Sequence, residues 1–206
     1  MGDINKAVLW IIGIANDDSH GYSQEIRWGP DYDCSSLVIS ALEAAGFPVK
    51  SKYKASWTGN MRTALANAGF VDVTSTVDLK NGKGLRLGDV CLKPFAHTEM
   101  VTCAAPVRLT GAHINEHGKI TGGKTGDQTG KEISTRPYYN YPWKYVFRYV
   151  EKPVESAEII DKVAREVIDG KWGNGFSRMV RLNVAGYDYN AVQRRVNEIL
   201  KEENRK

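Results

Sequence analysis

WGPDYDCSSLV, residues 28–38, places a cysteine at the predicted start of a helix. Gly29 and Pro30 predict a loop before Cys34, and apolar residues recur at helical spacing after it until Gly46. A thiol in the first helical turn lies at the positive end of the helix dipole, which stabilises the thiolate. A buried structural cysteine is the alternative, and this stretch alone leaves both roles open.

Composition limits the classes of function. The chain has 206 residues, of which 42% are hydrophobic and 25% charged, as in a globular protein. Its three cysteines are too few for a disulfide framework. The net charge is +4 and the basic residues are scattered, so we expect no nucleic-acid partner. The weak positive electrostatic field that this charge produces would suit binding to another anionic polymer.

The first apolar run, residues 7–15, has some features of a signal peptide, but Asp3 weakens the basic region that should precede it. Its apolar residues form one helical face, so we expect a first core helix over residues 4–15. No apolar run is long enough to span a bilayer, and no membrane insertion is expected.

The order of predicted elements indicates an α+β fold. Helices come first and strands follow, which favours an antiparallel sheet. Residues 70–74 and 145–150 alternate as strands do. The predicted helices are 4–15, 34–45 and 59–68, the last with Thr58 as its N-cap. The predicted strands are 70–74, 90–92, 97–101, 107–115 and 145–150.

The pattern changes after residue 150. Residues 152–155 read as a short linker. Three helices are predicted beyond it, the first capped by Ser156, the second over about 177–184 and the third from about Asn190. They predict a small three-helix bundle. We therefore expect two domains, residues 1–150 and 156–203.

The glycine-rich stretch 118–135 contains Gly122–Gly130, which has some resemblance to a phosphate-binding loop. It lacks the first glycine of that motif, because His117 stands there. We interpret the stretch as a long surface loop, and we expect no nucleotide or other cofactor.

Two histidines are candidate partners of Cys34. His97 opens one predicted strand and His113 lies in the next, and antiparallel neighbours bring such residues side by side. A cysteine nucleophile needs a base, and that base needs a group to orient it. Cys34, His97 and His113 meet this requirement, and Asn115 or Glu116 is the alternative orienting residue.

Two other interpretations remain open. Cys34, His97 and His113, with or without Cys91 or Cys103, would form a zinc site, although the close cysteine pairs typical of such sites are missing. The same residues would otherwise be ordinary core residues. We predict no metal.

The first 150 residues resemble the bacteriophage peptidoglycan hydrolases, the Pal-like phage amidases, which belong with the NlpC-type, papain-like cell-wall peptidases. The resemblance covers about residues 3–150. It is carried by residues 28–38, Gly88-Asp89-Val90, His97-Thr98-Glu99-Met100 and the aromatic residues between Tyr138 and Tyr149.

This resemblance implies a papain-like catalytic domain. Cys34 matches the nucleophile, His97 the base and His113 the polar third residue, although the spacing from His97 to His113 is longer than usual in the family. It also implies substrate-binding positions for the stem peptide beside the nucleophile, at Asp33 and Ser35, in a pocket with Trp28 and Asn115.

The tail carries a pattern made of residues 163–175, Arg178, Arg181-Leu182, residues 185–189, Val192-Gln193 and Val196-Asn197. Through this pattern it resembles the Cpl-seven wall-binding repeat of phage lysozymes over about residues 157–201. This resemblance implies binding of bacterial peptidoglycan through the muropeptide. Trp172 offers a flat face for a sugar ring, or else it packs the core of the bundle. The other expected wall-binding residues are polar: Asp169, Asn174, Arg178 and Arg181.

Together the two resemblances imply an endolysin-type hydrolase that resides in the host cytoplasm until it reaches the wall, or is secreted. The expected bond is the amide between N-acetylmuramic acid and L-alanine. The alternatives are the amide between D-glutamate and the diamino acid, and a wall-binding protein without catalytic activity.

Overall fold

The computed structural model describes residues 2–114, 132–150 and 157–203. The chain divides into two compact units, Met1–Val150 and Glu151–Lys206. The first unit combines helices with an antiparallel sheet, which confirms the predicted α+β class. The predicted linker at residues 152–155 and the capping residue Ser156 lie outside the described residues.

In the part of the first unit that the structure describes, three α-helices form the helical layer. They are α1 (Ile4–Ala15), α2 (Cys34–Ala44) and α3 (Thr58–Asn67). The prediction that Thr58 caps α3 is wrong, because Trp57 occupies the N-cap and Thr58 is the first helical residue. The side chain of Asn60 accepts hydrogen bonds from the backbone N–H groups of Ser56 and Trp57, which holds this turn from inside the helix.

Among the described residues, six strands form one sheet in the order β1-β6-β2-β3-β4-β5, and all neighbours are antiparallel. They are β1 (Phe70–Asp72), β2 (Val90–Lys93), β3 (His97–Ala104), β4 (Val107–Ala112), β5 (Ile133–Pro137) and β6 (Tyr145–Tyr149). The prediction of a loop through residue 135 is wrong at its end, because β5 pairs with β4 from Ile133 onward. The Gly122–Gly130 segment lies outside the described residues.

The sheet separates two apolar clusters. On one side, buried residues of α1 and α2, such as Ile11 and Leu37, pack against sheet residues such as Leu92 and Met100. On the other side, the cluster contains Leu85, Cys91, Val101, Leu109, Trp143 and Val146. Helices therefore cover one face, and the segment before β6 helps to cover the other.

The second unit contains α4 (Ala157–Ile168), α5 (Gly175–Val184) and α6 (Tyr189–Glu203). All three helices contribute to one apolar cluster: Val163, Ala164, Val167, Leu182, Val192, Val196 and Ile199. Among the residues described, no helix is both long enough and apolar enough to cross a membrane.

Candidate active site

The start of α2 fixes the position of Cys34. Asp33 is the N-cap, and its side chain accepts a hydrogen bond of 2.7 Å from the backbone N–H of Ser36. Ser36 Oγ in turn accepts one of 2.9 Å from the N–H of Asp33. This reciprocal pair is a capping box. It holds Cys34 at the first helical position, partly exposed in a cleft.

The hairpin β3–β4 brings the two predicted histidines together. The register pairs Met100 with Thr110, and its continuation places His97 opposite His113. Their ring centroids are 5.3 Å apart. Strand β4 ends at Ala112, so His113 follows the strand and does not lie within it as predicted. Asn115, the alternative third residue, lies outside the described residues.

A buried carboxylate that the sequence reasoning missed lies between these histidines. Glu99 is fully buried, and its Oε1 atom is 2.8 Å from His97 Nε2 and 3.7 Å from His113 Nε2. The hydroxyl of Tyr139 donates a short hydrogen bond to the same oxygen. Period-2 spacing puts Glu99 on the same strand face as His97, and this was the available signal.

Gly111 makes room for Glu99. The β3–β4 register, continued by one residue, sets Gly111 opposite Glu99. A Cβ atom at Gly111 would lie 2.5 Å from Cγ of Glu99, far inside van der Waals contact. The buried position of the carboxylate therefore depends on the absence of a side chain at residue 111.

The two histidines differ in charge at neutral pH: His97 is protonated and His113 is neutral. Burial disfavours the His97 imidazolium, but hydrogen bonds to Cys34 and Glu99 outweigh burial and raise its pKa from 6.5 to about 9. Burial lowers the pKa of His113 to about 4, against the attraction of Glu99. Burial alone would raise the pKa of Glu99, yet the bond from His97 and the charges of both histidines lower it. At neutral pH an imidazolium–carboxylate pair therefore adjoins Cys34.

The cleft at Cys34 has a volume of about 610 Å³. The three predicted catalytic residues, Cys34, His97 and His113, line it together. Five aromatic side chains that the sequence reasoning did not assign to the site line it as well: Tyr22, Trp57, Phe95, Tyr139 and Tyr141.

The predicted substrate-binding residues differ in their placement. Asp33 and Ser35 line the cleft, and both contact the Arg27 guanidinium. Arg27 Nε lies 2.6 Å from Asp33 Oδ2, and Arg27 Nη2 donates a hydrogen bond of 2.7 Å to Ser35 Oγ. Trp28 lies outside the lining, and its ring is covered by the ammonium group of Lys50, 3.7 Å from the ring centroid. The geometry therefore gives Trp28 no part in this cleft.

One side-chain group of the described residues has the composition of a metal site. The ligand atoms of His97, Glu99 and His113 lie within 4.8 Å of one another. Imidazole nitrogen and carboxylate oxygen are both zinc ligands. The group contains none of Cys34, Cys91 and Cys103, so the cysteine-containing zinc site considered from sequence is not found among the described residues.

In the second unit, two of the predicted wall-binding residues lie together. Arg178 donates hydrogen bonds to Asn174 Oδ1 and Gln193 Oε1, and Asn174 and Arg178 line a cleft of about 330 Å³. Asp169 and Arg181 are exposed and do not line this cleft.

Trp172 lies outside this cleft as well. It is partly buried against the apolar cluster of the second unit, its Nε1 donates to Glu166 Oε2, and its ring meets the edge of Tyr187. These contacts favour packing as the role of Trp172 over a free face for a sugar ring.

Comparisons with known proteins match both units. Residues 4–105 match the family described as the endolysin-like domain, and residues 161–200 match the CW_7 repeat. A 37-residue segment is 62% identical to a protein named Lysozyme from Streptococcus phage Cp-7. That segment covers 18% of this chain and 11% of the relative.

Proposed function

We propose that this chain, with its matches to the endolysin-like domain and the CW_7 repeat, is a phage-type endolysin that hydrolyses peptidoglycan. The two family matches and the phage lysozyme relative support a cell-wall hydrolase with a cell-wall-binding repeat. The finer proposal is a cysteine-dependent amidohydrolase of the papain-like, NlpC type that acts on an amide of the stem peptide. The observation that carries it is the His97–Glu99 pair beside Cys34 at the start of α2.

The reaction begins with the Cys34 thiolate. Its sulfur attacks the amide carbonyl carbon, and the C–N bond breaks as the His97 imidazolium gives its proton to the leaving amine. Water, deprotonated by the now neutral His97, then hydrolyses the thioester and restores the thiol. The raised pKa of His97, about 9, keeps the acid protonated at neutral pH.

Two donors are available for the oxyanion. The backbone N–H of Cys34 has no carbonyl partner within α2, because Cys34 is the first helical residue. The second is the hydroxyl of Tyr22, which lines the cleft and accepts a hydrogen bond from Gln24, leaving its own proton to donate. Burial raises the pKa of Tyr22 to about 12, so the phenol stays protonated.

Glu99 takes the orienting role that the sequence assigned to His113. It accepts from His97 Nε2, which fixes the ring and leaves Nδ1 for the exchange of a proton with Cys34. His113, with its pKa lowered to about 4, stays neutral and lies 3.7 Å from the same carboxylate oxygen. We therefore assign His113 a supporting position beside Glu99 and not a place in the proton transfer.

The second unit is proposed to hold the enzyme on the wall. The match to the CW_7 repeat supports this role, and the Asn174–Arg178 cleft offers hydrogen-bonding groups beside apolar surface. Two linked modules on one polymer raise the effective concentration of substrate at the catalytic cleft.

Two measurements on purified walls test the proposal. Loss of turbidity with the wild type, but not with Cys34→Ala, would establish a cysteine hydrolase, whereas intact walls with both would leave a wall-binding protein. Labelling of new amino termini identifies the bond. New N-terminal L-alanine indicates the muramoyl amide, and a newly freed diamino-acid amine without new L-alanine indicates the endopeptidase.

A further inference from the structure

Phe95 occupies a backbone position that disfavours it. It lies in the three-residue loop between β2 and β3, where Lys93 pairs with His97, and its φ angle is 63°. Glycine or asparagine is favoured at such a left-handed position of a hairpin loop, and a bulky residue there is strained. The side chain is nevertheless a phenyl ring, 75% exposed.

Trp57 also stands where local structure favours a small polar residue. It is the N-cap of α3, and its side chain makes no capping hydrogen bond, whereas serine, threonine, aspartate and asparagine are preferred at this position. Its ring is 46% exposed. Gly59 leaves space for that ring, since a Cβ there would lie 2.5 Å from ring atoms of Trp57.

The two rings meet at the cleft. Their centroids are 5.2 Å apart at an interplanar angle of 69°, and both residues line the cleft that contains Cys34 and His97. Each aromatic side chain disfavours the local backbone structure at its position. Neither is buried in the core, so burial of apolar surface does not compensate for this cost. Such local conflicts concentrate at functional sites.

We propose that Trp57 and Phe95 form a subsite for a pyranose ring of the glycan strand, an N-acetylhexosamine, beside the reacting amide. The inference rests on the proposed function. The apolar C–H face of a sugar ring matches an exposed aromatic surface. The residues of the stem peptide nearest the glycan carry only a methyl group or a carboxylate, which are too small or too polar for this pair.

The position of the subsite selects the bond. Phe95 precedes His97 by two residues, so a sugar on the aromatic pair lies next to the groups that react. The scissile amide is then the one between the lactyl group of N-acetylmuramic acid and L-alanine. The Cys34 sulfur forms a thioester with the lactyl carbonyl, the C–N bond breaks, and the L-alanine amine leaves with the proton of His97. Water then releases the lactyl carboxylate and the thiol.

Binding is tested without catalysis in the full chain that carries Cys34→Ala. The probe is the disaccharide of N-acetylglucosamine and N-acetylmuramic acid, and the readout is the indole N–H signal of Trp57 in a ¹⁵N spectrum, assigned with Trp57→Phe. This signal should shift on titration. The added substitution Phe95→Asn, which suits the positive φ, should weaken the affinity read from the signal by about fivefold to tenfold.

Two controls accompany the titration. Trp28→Ala removes an exposed tryptophan outside the cleft and should leave the affinity unchanged. Phe95→Asn should unfold at the same temperature as its parent or at a higher one, which shows that lost affinity is not lost folding. An indole signal that does not move, or an affinity that Phe95→Asn leaves intact, overturns the subsite.

Kinetics separate this inference from the proposed function. In the chain with Cys34 intact, Phe95→Asn should raise KM for a disaccharide-peptide by about fivefold to tenfold with little change in kcat. This is the pattern expected when a contact is equally strong in the ground state and the transition state. Hydrolysis of the sugar-free peptide at a rate equal to that of the disaccharide-peptide overturns the subsite while the Cys34 mechanism stands. A wild type that cleaves neither substrate refutes the mechanism, and the indole titration still decides the subsite.

Discussion

Replacement of Glu99 by glutamine isolates the charge of the buried carboxylate. The glutamine side chain keeps an oxygen that accepts from His97 Nε2, so the ring orientation is retained, and its amide group can donate to the nitrogen of His113, which lacks a hydrogen-bond partner among the described residues. The rise of the His97 pKa from 6.5 to about 9 corresponds to roughly 3 kcal/mol in favour of the imidazolium. Cys34 and Glu99 share this contribution through hydrogen bonds and charge.

Loss of the Glu99 charge should therefore move the alkaline limit of kcat/KM down by about one pH unit, or about 1.4 kcal/mol. In the proposed mechanism the imidazolium protonates the leaving amine, so activity should fall as pH rises through the pKa of His97, about 9 in the wild type. The assay is the pH dependence of kcat/KM, with a parallel NMR titration of the His97 ring. Glu158→Gln, the same change at an exposed position of α4, is the matched control.

The same substitution affects stability with a defined sign. A histidine whose folded pKa is raised stabilises the fold fully below pH 6.5, and this contribution is lost as pH rises through about 9. Glu99→Gln should thus lower the free energy of unfolding at neutral pH and flatten its alkaline decline. An alkaline limit of kcat/KM and a His97 titration that both match the wild type would refute the role of the Glu99 charge.

Further predictions follow from the same site and from the second unit. Cys34→Ala should abolish wall lysis while wall binding persists, and retention of more than a small fraction of lysis would exclude the thiolate mechanism. A chelator should change lysis little; strong inhibition that zinc reverses would instead assign a metal to the cluster at Glu99. Because the folded pKa of His113 is lowered to about 4, the free energy of unfolding should fall as pH drops from 6.5 to about 4, and His113→Gln should weaken that slope. Trp172→Ala should lower the melting temperature of the second unit, since its ring packs on the apolar cluster there; lost wall binding with unchanged melting would assign it to the ligand.

The spacing of apolar residues was sufficient to predict many of the helices and strands of the first unit. The apolar spacing after residue 34 predicted α2, and alternation predicted β1 and β6. Strands β2, β3 and β4 were also predicted, although β4 ends at Ala112, before the predicted limit. The cysteine and the two histidines were found because each is a rare residue at the edge of a regular element. Strand β5 was missed because a glycine-rich stretch precedes it and its partner, β4, is distant in sequence.

The roles within the site were harder to predict than its members. Glu99 was missed because a carboxylate in a strand reads as solvent-exposed, and only the tertiary fold shows that Tyr139 and His97 both contact its Oε1 atom. Trp28 was expected in the pocket because it is near Cys34 in sequence, yet the Gly29–Pro30 turn separates the two. Proximity along the chain is a poor guide where a loop reverses direction.

Gly111 carries a consequence for the divergence of this kind of chain. Any residue with a Cβ at that position would push the Glu99 side chain out of its buried place, even though residue 111 donates no group to the reaction. Under the proposed mechanism, a descendant chain could therefore keep its cysteine and both histidines and still lose activity through one substitution at residue 111. Surveys that classify such proteins as active from their reactive residues alone would classify such a chain wrongly. The residue opposite Glu99 on the neighbouring strand should therefore be inspected as well.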